Sequence, residues 1–216
     1  MKAHYKFLFL LVLIVLGCSI SKSQDTKGSV ELIAIQPVDS ILKADLELIG
    51  LEDQTLRLLL PEVTLKFGRE SSEYNYIWSL IHYQDSISLK KLIDILDEHG
   101  WVGKSRVGDV ANQAIWLTIQ HSPIKIQEKY FPLLKESVES EESKGWHLAF
   151  LEDRILMRNG ENQIYGTQAM WDNELKQNKI YPIEDVKNVN QRRQKLGLEP
   201  IEKYAESNGH IFDQKE

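Results

Sequence analysis

The chain has a single cysteine, Cys18, and it stands at the end of an N-terminal apolar run. Nothing beyond it can form a disulfide, act as a thiol nucleophile, or build a cysteine-based zinc or iron–sulfur site. The fold must hold by packing alone. Of the 216 residues, 42% are hydrophobic and 27% are charged, ordinary values for a globular protein and enough for one sizeable core.

The N-terminus reads as an export signal. Lys2 and Lys6 form a short basic lead, Phe7 to Leu16 is almost unbroken apolar sequence, and small or polar residues follow from Gly17. That order describes a secretory signal peptide, and the run is shorter than the ~20 residues a bilayer span needs. Val15-Leu16-Gly17-Cys18 resembles the lipobox of bacterial lipoproteins, whose cysteine becomes the acylated first residue of the mature protein. The expectation is a signal peptide over 1–17, lipidation at Cys18, a tether over 18–30, one domain over 31–206 and a polar tail over 207–216. The protein would be exported and held in the bacterial cell envelope, with a lipid anchor as its membrane contact. Losing Lys2 and Lys6 leaves 24 Lys+Arg against 32 Asp+Glu, so the formal charge goes from −6 to −8. An acidic domain without a basic stripe argues against nucleic acid as a partner.

Hydrophobic spacing predicts a mainly α protein. Asp39 or Ser40 caps a helix whose apolar positions (Leu42, Leu46, Ile49, Leu56, Leu59) run to Pro61. A second helical stretch starts near Ser72 and carries the same period to Gly100, a natural stop. Residues 101–108 read as a loop, and Asp109 opens a helix ending at Gln120-His121. Further helices follow over 123–138, 146–158, 185–196 and 201–206. Residues 163–168 and 178–183 carry β-type side chains and read as a small hairpin or paired loops.

Gly103-Lys104-Ser105 matches only the end of a phosphate-binding P-loop. The first glycine of that motif would fall on Glu98, and a helix rather than a strand precedes it. Zinc-protease, nucleophile-elbow and EF-hand motifs are absent, and no metal or cofactor is expected.

Several segments stand out together: Gly100-Trp101-Val102-Gly103-Lys104-Ser105, Ala114-Ile115-Trp116-Leu117 with Gln120-His121, Leu151-Glu152-Asp153-Arg154, Gln163 to Gln168, Pro182 to Asp185, and Arg192-Arg193 leading to Gly197-Leu198-Glu199-Pro200. Weaker segments lie at Asp53-Gln54 with Arg57, and at Asp85. In these the chain resembles a bacterial domain family of unknown function, number 6624. The resemblance covers nearly all of the mature chain, and Val102 stands where that family usually has proline. It implies a set of polar positions but no reaction.

Those positions have physical content. His121 ends a helix, where carbonyl dipoles favour a protonated imidazole. Asp53 and Arg57 are four apart in the favourable acid-first order. Asp153 and Arg154 are adjacent, so they point about 100° apart and reach different partners. Two readings follow. In the first, the domain binds a ligand or partner through a polar pocket containing Asp53, Arg57, Gln120, Tyr165 and Gln168. In the second it is an envelope hydrolase or lyase, with His121 as acid/base, Asp153 or Asp53 orienting it, and Arg154 or Arg57 stabilising an anion. The second requires His121 within hydrogen-bond reach of Asp53, Asp85 or Asp153. Each of these residues also has a purely structural use, as a cap or a buried ion pair.

Overall fold

The computed structural model describes residues 39–214. The expected signal peptide, Cys18 and the tether lie outside the described residues. Within them the protein is mainly α, with one small antiparallel hairpin, as the hydrophobic pattern predicts. No helix among the described residues is long and apolar enough to cross a membrane.

Helix α1 (Ser40–Thr55) starts at Asp39, whose carboxylate accepts from the Leu42 amide at 3.1 Å. It ends earlier than Pro61. A 3-10 turn over Arg57–Leu59 intervenes, and Pro61 sits in the first turn of α2 (Leu60–Phe67). Proline is tolerated there because that turn's amides lack helical acceptors anyway. Helix α3 (Ser72–His99) runs unbroken through Asp85-Ser86 to Gly100.

Helix α4 (Lys104–His121) is the central rod. Its first turn, 104–107, lies in the stretch expected to be a loop. Gly108 then leaves the helix with φ 84°, and the main run begins after it. Ala111, Ile115 and Ile119 are fully buried against α1, α3 and the two helices that follow, α5 (Ile124–Glu139) and α6 (Gly145–Arg158). Helices α1 and α4 run parallel, with the Asp39 amide on the Arg106 carbonyl at one end. They come closest at Gly50, where an added Cβ would sit 2.7 Å from the Ala114 Cβ. A larger residue at 50 would push the helices apart.

The segment with P-loop-like letters has a structural explanation. Glu142 takes the Lys104 amide on its carbonyl and the Ser105 amide on its carboxylate, both at 2.9 Å. A protein carboxylate thus already fills the place an anion would take. Nearby, Trp101 Nε1 donates to Ser143 Oγ, and Asn112 donates to the Val102 carbonyl.

The hairpin lies within the expected 163–183 span, but its first strand starts later than the β-type side chains of 163–168 suggest. Strand β1 is Ala169–Asp172, pairing with β2 (Gln177–Ile180); only single bridges such as Gln163 with Ile183 involve the earlier segment. Residues 163–168 instead form a tight turn, with Gly166 at φ 74°. Helices α7 (Val189–Lys195) and α8 (Ile201–Ser207) pack a second, smaller cluster around Ile180, Ile183, Val189 and Ile201. The polar tail expected past 206 is part of this fold. Ile211 bridges to Lys179, Phe212 joins the cluster, and the Gln214 amide donates to the Ile180 and Tyr181 carbonyls.

Candidate functional site

The parallel contact of α1 and α4 sets the site. Gly50 against Ala114 fixes the two axes, and one turn or two further along Asp53 meets His121. Asp53 is almost fully buried. His121 Nδ1 lies 2.9 Å from its Oδ1 and 3.0 Å from its Oδ2. Burial by itself would raise the Asp53 carboxyl, but the hydrogen bond and charge of His121, with Arg57 and Gln54, outweigh it and hold it below the ordinary aspartate value. An ionised carboxylate only accepts, so Nδ1 carries the proton that faces Asp53 and Nε2 is turned away from it. Nε2 has no hydrogen-bond partner among the described residues, and the ring lines an open cleft.

Arg57 ties this pair to α3. Its guanidinium lies 3.3 Å from Asp53 Oδ2, donates to the Asp53 carbonyl at 2.5 Å, and donates to Asp85 Oδ2 at 2.8 Å. Asp85 Oδ1 is buried without a partner among the described residues. The cleft lined by Asp53, Asp85 and His121 has a volume of about 340 Å³, within the range of small-molecule sites. His82, Ser86 and Leu89 from α3 form one wall. Thr118, Ser122 and Pro123 form another, and Arg158 closes an edge, with Nη1 donating to the Ser122 carbonyl at 2.7 Å.

The remaining expected site residues lie elsewhere. Asp153 is fully buried, and its carboxylate accepts from the amides of Ile164, Tyr165 and Thr167 and from the Thr167 hydroxyl, at 2.7 to 3.0 Å. Burial pushes its carboxyl up from the ordinary value, and these donors pull against that. His121 is therefore paired with Asp53 and not with Asp153. Tyr165 belongs to the same turn, and its carbonyl accepts from buried Arg193. Burial and the neighbouring Glu152 raise its hydroxyl. Gln120 lies in the seam between α4 and α6, its amide donating to the Phe150 carbonyl. Gln168 donates to that same carbonyl and accepts from Arg154 Nε at 3.2 Å.

Sequence reasoning did not single out Arg158, His82 or Ser122. Arg158 carried a signal, since it follows Arg154 by four on one helix face; His82 and Ser122 carried none. Among the described residues no group of three or more His, Cys, Asp or Glu is arranged to hold a metal ion.

An ionised aspartate behind a histidine, at the mouth of a cleft on a helical scaffold, defines a polar-site protein without a recognised catalytic motif. The chain belongs to a family of unknown function, DUF6624, whose model matches residues 42–214. No curated protein and no solved structure matches it.

Proposed function

We propose that the cleft between α1, α3 and α4 is a ligand site in which His121 works as a general acid/base, oriented by Asp53. One observation carries this reading: a histidine held by Nδ1 on a buried, ionised carboxylate, with Nε2 free beside a cavity of ligand size. Arg57 locks Asp53 in place and adds positive charge, and Asp85 Oδ1 offers an unused acceptor. Hydrolysis or elimination, in which one group takes and returns a proton, suits this set.

Nitrogen-15 NMR of the histidine rings tests the premise directly. The expected result is a His121 Nδ1–H whose ring signals shift in Asp53→Asn. A His121 whose tautomer and titration ignore Asp53→Asn would sink the reading. A screen of generic ester, phosphoester and amide substrates then extends it, with turnover expected to vanish in His121→Asn.

We further read the protein as an exported lipoprotein of the bacterial envelope, on the strength of the Lys2–Cys18 segment. Metabolic labelling with a clickable fatty acid should tag the full chain, and Cys18→Ser should abolish the tag.

A further inference from the structure

We propose that Arg154 and Arg158, with Arg57 beside them, form an oxyanion subsite at the edge of the His121 cleft, so that the ligand is a small molecule bearing a phosphate or carboxylate. This deepens the acid/base reading and rests on it for the chemistry, but not for the binding.

The argument starts from unmatched charge. Arg154 and Arg158 are four apart on α6 and share one face, where like charges repel. Among the described residues neither has a carboxylate within ion-pair distance. Their hydrogen bonds go to neutral groups: Arg154 Nε to Gln168 Oε1, and Arg158 Nη1 to the Ser122 carbonyl. Arg154 is partly buried, and Arg158, which lines the cleft, is exposed. Asp153, the nearest acid in sequence, faces away and is committed to the 164–167 turn.

The cleft's two carboxylates are already engaged. Arg57 is answered by Asp85, and Asp53 is shared between Arg57 and His121. No described carboxylate remains for Arg154 and Arg158. The Arg154 guanidinium is pulled down to about 10, first by burial and then by the charges of Arg158 and Arg57, so the three lie near enough to repel one another. Holding the partly buried Arg154 beside other cations without a counter-ion is costly, and a bound oxyanion relieves it. Two planar guanidiniums are suited to phosphate or carboxylate oxygens. Gln168 acts as a positioning residue, since it fixes the Arg154 Nε edge and leaves the terminal nitrogens for the ligand.

The test is calorimetric titration of the protein with inorganic phosphate, and separately with acetate, at ionic strength held constant with chloride. Saturable binding of at least one oxyanion is expected. It should weaken roughly tenfold or more in Arg158→Gln and in Arg154→Gln, as loss of a charged hydrogen bond does. Arg154→Lys, which keeps the charge and loses the fork, should weaken it too. Lys129→Gln removes one positive charge from the exposed surface and serves as the control for non-specific attraction. Absence of saturable binding to either anion overturns the subsite, as does an equal loss in Lys129→Gln. Following the His121 ring signals in the same samples separates the two readings. An intact Nδ1–H with no oxyanion binding removes the subsite and leaves the acid/base pair standing.

Discussion

Two buried aspartates, Asp53 and Asp153, lie on parallel parts of the same design and do opposite things. Each sits on a helix, each is about 1% exposed or less, and each has a polar loop or helix end against it. Asp153 gives both oxygens to the backbone and hydroxyl donors of one turn, which closes the chain between α6 and β1. Asp53 gives its oxygens to the side chains of His121, Arg57 and Gln54, and of these His121 lines the cleft. Backbone donors make a carboxylate part of the scaffold, whereas titratable side-chain donors leave it free to tune chemistry. Burial alone does not distinguish the two.

The sharpest way to break the comparison is the same substitution at both positions. Asp153→Asn places an amide among four converging donors and should cost about 3–5 kcal/mol, read by denaturant melts. If it costs no more than Asp53→Asn, the division between scaffold and site is wrong.

Gly50→Ala tests what brings Asp53 to His121. With a Cβ 2.7 Å from Ala114, overpacking should cost about 1–3 kcal/mol. It should also lengthen the Asp53–His121 contact and shift the His121 ring signals, an effect absent if the helices part elsewhere.

His147 supplies a third buried ionisable group, this time with no hydrogen-bond partner among the described residues. It is fully buried, stacked 4.9 Å from Trp116, and neither ring nitrogen is hydrogen-bonded. Burial, with Lys144 nearby, pulls it down to about 3. The unfolded ring binds a proton below about 6.5 and the folded one does not. Stability should therefore be full above that value and fall by about 1.4 kcal/mol per pH unit on acidification toward 3. His147→Phe should remove that component of the pH slope; an unchanged slope would show that the ring finds a partner.

The smallest expected effect is Asp53→Asn, about 1 kcal/mol, because Arg57 keeps Asp85. The folded Asp53 carboxyl lies below its unfolded value, so its contribution is present at neutral pH and lost on acidification through the carboxylate range. Urea melts at pH 7 and pH 3 should accordingly converge for parent and variant at the lower pH.

Much of this was readable in the letters. Leu42, Leu46 and Ile49 recur at helical spacing and do fill the core. The four-residue step from Asp53 to Arg57 gave their ion pair, and His121 does end its helix, as its place before Ser122-Pro123 suggests. What the letters withhold is tertiary. That Gly50 meets Ala114 depends on which two helices pack, and no local pattern encodes it. The hairpin's first strand starts later than its β-type letters suggest for a related reason. Ile164 and Tyr165 have β-type side chains, but Asp153, eleven and twelve residues away, captures their amides and bends the segment at Gly166. The strands then begin at Ala169.

The sequence separation of 68 between Asp53 and His121 has a kinetic meaning. Helices can form locally, but this contact must wait until α1 has docked along α4. Contacts of such long range carry the loop-closure entropy that slows folding. The His121 ring is consequently a clock for assembly: a collapsed state with its helices formed but α1 undocked lacks the histidine–aspartate pair entirely.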